Sequence, residues 1–152
     1  MDAATRSRMM SGIRSTNTTP ERLVRSLLHR QGFRFRLHAK ELPGRPDIVL
    51  PRYHAVILVN GCFWHGHDCS LFRLPSTRTE FWTNKFETNR RNDRRNVALL
   101  TEAGWRVAVV WECAIRGSGA IGKDALSEIL ADWLRRGDPK LDISANNGRL
   151  QK

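Results

Sequence analysis

Nine consecutive residues, Gly61-Cys62-Phe63-Trp64-His65-Gly66-His67-Asp68-Cys69, concentrate most of the reactive chemistry of the chain. Two thiols and two imidazoles there can bind a metal, and two adjacent large aromatics can wedge between bases. The third and last cysteine of the sequence, Cys113, lies far downstream. Two cysteines and one of the histidines, completed by Cys113, would make a closed four-ligand site of the kind structural zinc favours. Spacing alone does not say which histidine joins them. An odd cysteine count argues against a secreted disulfide framework and for thiols used as ligands in a reducing compartment. A second reactive group is Asp47, which follows Pro43-Gly44-Arg45-Pro46 and opens the apolar run Ile48-Val49-Leu50. An acid at the edge of a strand can hold a hard cation through oxygen, although a turn-capping Asp is the commoner reading.

The elements that must position these groups can be read in order. Thr18-Thr19-Pro20-Glu21 has a capping Thr, a Pro in the first turn and an acid three residues on, which predicts a helix start. Leu23, Val24, Leu27 and Leu28 continue it at helical spacing, and Gly32 marks its end. On these signals Glu21 reads as the capping acid. Phe33 to Leu37 alternates apolar and basic residues, the pattern of a half-buried strand. Tyr53 to Val59 is an apolar, β-branched run long enough for a buried strand, and it delivers the chain into the cysteine-histidine loop. Asp47 and the segment from Val59 to His65 are therefore expected on neighbouring strands. A helix ending near Ala103 carries Arg90, Arg91, Arg94 and Arg95 in its polar first half, either as a solvated face or as phosphate contacts. Trp105 to Trp111 reads as a buried strand that returns Cys113 to the loop. Ala125, Leu126, Ile129, Leu130, Trp133 and Leu134 stripe a last amphipathic helix, read as core.

The division expected is a basic arm over 1–17, one domain over 18–136 and a loose tail over 137–152. In the arm, Met10 and Ile13 stand among basic and polar residues, as apolar wedges or as a frayed terminus. The chain has 152 residues and a formal net charge of +11, more than solubility needs, which points to a polyanionic partner and first to nucleic acid. No stretch has the apolar character of a signal peptide or a membrane span, so a cytoplasmic protein is expected.

Pro46-Asp47, followed by a second strand, resembles the metal-binding core of the restriction-endonuclease fold, except that Val59-Asn60-Gly61 stands where that core has an acid and a lysine. The resemblance sharpens with Asn60-Gly61-Cys62-Phe63-Trp64-His65-Gly66-His67-Asp68-Cys69, Thr77-Arg78-Thr79-Glu80-Phe81-Trp82, Ala4-Thr5-Arg6-Ser7, Gly104-Trp105-Arg106-Val107 and Val110-Trp111-Glu112-Cys113. Together these resemble the very-short-patch repair endonucleases (Vsr), across roughly residues 4 to 136.

The resemblance implies an α/β restriction-endonuclease-like fold, with a mixed central sheet flanked by helices and an embedded structural zinc site. It implies a Mg²⁺-dependent endonuclease that nicks one strand 5′ of the T in T:G mismatches left by deamination of 5-methylcytosine. Asp47 would be the carboxylate ligand of Mg²⁺ and Val59 would offer its main-chain carbonyl, which removes the need for an acid side chain there. His65 would be the general base and Glu21 an accessory acid. Asn60 falls at the position of a secondary catalytic group, where the best-known member has a histidine. Zn²⁺ would be held by Cys62, His67, Cys69 and Cys113. Phe63, Trp64 and Trp82 would intercalate, helped by Met10 and Ile13, with Arg90, Arg91 and Arg94 on phosphates. The partner would be double-stranded DNA with a T:G mismatch, met by a monomer at the bacterial nucleoid, with mismatch-repair proteins as further partners. Two rivals are a zinc-stapled DNA-binding module without nuclease activity, and a zinc hydrolase. Four protein ligands weaken the latter by leaving zinc no open position for water.

Overall fold

The computed structural model describes residues 18–145; the expected wedges Met10 and Ile13 lie outside them. A five-stranded mixed sheet, in sequential order, forms the centre: β1 (Arg36–Leu37), β2 (Ile48–Leu50), β3 (Ala55–Asn60), β4 (Arg106–Trp111) and β5 (Lys140–Ile143). β1, β2 and β3 pair antiparallel, and β3, β4 and β5 run parallel. Among the described residues three helices flank it: α1 (Thr19–Arg30), α2 (Thr79–Glu102) and α3 (Lys123–Arg136).

The central strands are apolar at almost every position because they are buried on both faces. Ile48, Leu50, Ala55, Ile57, Ala108 and Val110 point into a core closed by α1 and α3, with Val24, Leu28, Leu126, Leu130 and Trp133. The alternate residues Val49, Val56 and Val107 point the other way, against Leu100 of α2. The final amphipathic helix is core, as its stripe predicts. Thr18 caps α1, its hydroxyl accepting from the Glu21 N–H at 3.4 Å. No helix among the described residues is long and apolar enough to cross a membrane.

Three boundaries differ from expectation. Only Arg36 and Leu37 of the run from Phe33 join the ladder, because Phe33 is spent on the α1/α3 core. The arginine run lies in the middle of α2, which already begins at Thr79. The loose tail is a correction of substance. Residues 140–143 form β5, parallel to β4, and Ile143 is fully buried. Lys140-Leu141-Asp142-Ile143 does alternate, with Leu141 and Ile143 on the core side, but four residues after a helix-ending glycine are the shortest run that carries a strand signal.

Candidate functional site

β3 and β4 are parallel, with Asn60 paired to Trp111 in register, so the loops after both strands leave from the same end of the sheet. That end is where open α/β sheets carry their sites. The loop after β3 brings Cys62, His65, His67 and Cys69, and a 3₁₀ turn at Glu112–Ala114 after β4 brings Cys113.

Cys62 Sγ, Cys69 Sγ, Cys113 Sγ and one ring nitrogen of His67 all lie within 4.8 Å of one another. Cys113 Sγ and His67 Nδ1 are 3.6 Å apart, close to the separation of about 3.5 Å expected of two ligands on a tetrahedral ion with metal bonds of 2.0–2.3 Å. Main-chain N–H groups already point at two sulfurs, Cys113 N–H at Cys62 Sγ and Ala145 N–H at Cys113 Sγ, both at 3.3 Å. Burial raises the Cys62 and Cys113 thiol pKa values and lowers that of His67. Clustered buried thiols are therefore poor anions by themselves, and a bound divalent cation would supply the compensating charge. The donor set fits a four-coordinate metal. Of the two histidines it takes His67, the question that spacing left open.

His65 points elsewhere. Its Nδ1 lies 2.5 Å from Asp93 Oδ2 of α2. Trp111 separates the two imidazoles, stacked on His67 with centroids 4.0 Å apart and meeting His65 edge-on at 5.9 Å. Asp47, just before β2, reaches over to β3, where the Val59 N–H donates to its Oδ2 at 2.7 Å. Glu21 on α1 and His38 beyond β1 complete a second cluster with Asp47, one ligand-type atom from each lying within 4.8 Å of the others. Burial, with a smaller contribution from Glu21, raises the Asp47 pKa to about 6, against the pull of the Val59 N–H, His38 and His65. At Glu21 the cap and the carboxylate are separate matters. Its backbone is capped, while its buried carboxylate meets Asp47, Arg25 and His38.

The aromatics form one block. Phe63 packs edge-on against Trp64, Trp82 and Phe86 with centroids 5.1–5.6 Å apart. Trp64 meets Trp82 at 5.8 Å, and all three expected wedges are half-buried. Asn89 Nδ2 donates to the Trp64 carbonyl (2.6 Å) and Arg90 Nη2 to the Gly66 carbonyl (2.5 Å). Gly66 has φ +58°, which glycine adopts most readily, and a Cβ there would meet the Arg90 guanidinium at 2.6 Å and displace it from the loop. Arg90 is therefore engaged in holding the loop, whereas Arg91 and Arg94 are exposed. Asn60 ends β3 beside this site.

Sequence reasoning missed His38, Asp93 and Asn89. A signal existed for the last two: Trp82, Phe86, Asn89, Arg90 and Asp93 recur at three- and four-residue steps, one face of α2. For His38 there was none, since only strand pairing brings it to Asp47.

A mixed α/β sheet with a carboxylate-imidazole cluster and a four-donor Cys/His group that could hold a metal ion sets the class, and comparison supplies the family. The family model for the DNA mismatch endonuclease Vsr matches residues 1–71. The DNA mismatch endonuclease Vsr of Escherichia coli K12 is 49% identical over 133 residues, 88% of this chain and 85% of that one. The type II nicking enzyme V.XorIIP of Xanthomonas oryzae is 54% identical over 74% of this chain and 83% of its own. V.NmeAIP of Neisseria meningitidis, also a type II nicking enzyme, is 41% identical over 84% and 90%. The chain belongs to the Vsr family of DNA mismatch endonucleases.

Proposed function

We propose that this protein nicks one strand of double-stranded DNA 5′ of the T in T:G mismatches that arise by deamination of 5-methylcytosine, in a Mg²⁺-dependent reaction on a restriction-endonuclease-like fold. Family membership makes it a DNA-nicking endonuclease and sets aside the DNA-binding module without nuclease activity. The observation that supports the site assignment is the cluster of Asp47 and Glu21, with His65, paired to Asp93, near enough to act on the Asp47 carboxyl.

Each residue has a defined task. With Nδ1–H donated to Asp93, the His65 ring is held in one tautomer, and Nε2 is left to accept a proton from the attacking water. Asp47 is the carboxylate ligand of the cation. The Val59 N–H that meets Asp47 leaves β3 from the same edge as the Val59 carbonyl, because both groups of a strand residue face one neighbour. That directs the carbonyl to the Asp47 side without any acidic side chain at the position. Mg²⁺ bound there supplies charge stabilisation at the scissile phosphate. Glu21 adds negative charge beside Asp47, and Asn60 is a polar neighbour at the end of the strand. Zn²⁺ on Cys62, His67, Cys69 and Cys113 is structural, since four protein ligands leave no position for water. Phe63, Trp64 and Trp82 open the duplex, with Met10 and Ile13 from the arm. Arg91 and Arg94 hold phosphates, and Arg90 adds positive charge while it holds the loop. The working unit is a monomer in the bacterial cytoplasm, acting on nucleoid DNA alongside other mismatch-repair proteins.

The test is nicking of two duplexes that differ only in T:A against T:G, with and without Mg²⁺. Cleavage 5′ of the mismatched T, only with T:G and only with Mg²⁺, is expected. Equal nicking of both duplexes would overturn the mismatch reading, and nicking unaffected by chelated Mg²⁺ would overturn the cation reading.

A further inference from the structure

Outside the four-ligand site, one imidazole stands where the chemistry described so far gives it no task. His38 follows β1, with its backbone in the left-handed region at φ 49°. For a residue other than glycine that conformation is uncommon and is held by its surroundings. Here the surroundings are the hairpin itself: the His38 N–H donates to the Asp47 carbonyl at 3.2 Å, and the Ala39 N–H to the Pro46 carbonyl at 3.4 Å. The two residues are thereby locked side by side. The imidazole lies 22% exposed against the buried Glu21, with Nε2 at 2.5 Å from Glu21 Oε1. Arg25 Nη2 donates to the same oxygen at 2.9 Å. Glu21, His38 and Asp47 each direct one donor atom into a space where all three lie within 4.8 Å.

We propose that His38 is a nitrogen ligand of the catalytic cation site, which gives this nuclease a preference for first-row transition ions such as Mn²⁺ over Mg²⁺. The inference rests on the reading of Asp47 as the metal-binding carboxylate. Mg²⁺ is served by oxygen donors and gains little from an imidazole. First-row transition ions accept nitrogen readily, with affinity rising along the series from Mn²⁺. Two carboxylates and one imidazole make a mixed set that still binds Mg²⁺ through oxygen, yet adds a bond for a transition ion. The geometry needs little change. Adjacent donors on an octahedral ion with bonds near 2.1 Å stand about 3 Å apart. His38 Nε2 and Glu21 Oε1 would separate by roughly half an ångström from their direct contact to admit one. The competing role for His38 is to position Glu21 by hydrogen bonding alone, which predicts no bond from nitrogen to metal.

Pulsed electron paramagnetic resonance on the full zinc-loaded chain with added Mn²⁺ separates the two. Mn²⁺ is weakest in the transition series and leaves a thiolate-rich zinc site undisturbed. Bound Mn²⁺ should show nitrogen modulation from one imidazole. His38→Gln should abolish that modulation and weaken Mn²⁺ binding by at least about tenfold, the scale on which even the outer partners of a metal matter. Mg²⁺ affinity, read by competition, should change by less than about twofold. His65→Ala should leave the modulation in place. Absence of nitrogen modulation in the wild type, or its persistence in His38→Gln, overturns the proposal. Asp47→Asn tests the underlying reading separately: it should remove Mn²⁺ binding. If Mn²⁺ still binds there, the assigned centre is what fails.

Discussion

Asp47 shows how a residue's surroundings decide its charge. Burial raises its pKa to about 6, and the Val59 N–H and two nearby histidines only partly oppose this. In the unfolded chain it returns to the ordinary value, 3.8. Between those values the folded state binds more protons than the unfolded one, so stability falls as pH rises. The contribution is fully present below pH 3.8 and is lost as pH passes through about 6. In Mg²⁺-free buffer with zinc retained, wild-type stability measured against Asp47→Asn should fall by about 1.3 kcal/mol from pH 5 to pH 7 in denaturant unfolding. A difference that stays flat or rises with pH would show that Asp47 is not held neutral by burial. Asp47 was legible because Pro-Asp before an apolar run marks a strand edge. His38 was not, since only the hairpin brings it to Asp47, whereas Asp93 could have been read from its place on the helix face of Trp82, Phe86 and Asn89.

At the scale of elements, α2 is the least legible piece and the one that shapes the cysteine-histidine loop. Its arginines dominate the sequence, yet its inward face carries Trp82, Phe86, Asn89, Arg90 and Asp93, which meet the loop one turn after another. That face distributes the burden among the aromatics. Phe63 touches Phe72 and the buried Phe86 as well as the two tryptophans, whereas the Trp64 ring meets only Phe63 and Trp82 among the described rings. Trp64 is thus the ring that can leave its packing for a base step at least cost. Trp64→Ala should reduce the binding preference for T:G over T:A duplexes about ten- to hundredfold, from roughly 1–3 kcal/mol of lost stacking. Its affinity for matched DNA should keep the same salt slope, because the phosphate contacts remain. Titrations of both duplexes at several salt concentrations decide it. Equal weakening on both would assign Trp64 to packing alone.

For the whole molecule, the sheet links its most peripheral strand to the metal site. The helical and apolar periodicities were legible because two cores sandwich β2, β3 and β4, which forces continuous apolar runs. β5 was hidden because it is an edge strand with one buried side, where charged residues are tolerated. Yet β5 pairs with β4 from Val107 to Val110, and Ile143 closes the α1/α3 core. Asp142 Oδ2 accepts from Trp111 Nε1 at 3.3 Å, and Trp111 stacks on His67. Ala145 donates its N–H to Cys113 Sγ. Deleting residues 138–152 should therefore lower stability and loosen the metal together. Exposing what Ile143 covers costs about 2 kcal/mol, and two supports of the ligands, on His67 through Trp111 and on Cys113 directly, go with it. Outer partners of this kind matter about ten- to hundredfold in metal affinity. Thermal melting and zinc transfer to a chromophoric chelator, measured on the full and shortened chains, give both quantities. A shortened chain that melts and holds zinc like the full one would show that the sheet ends at β4 in function, and that Cys113 needs no help from the strand beyond it.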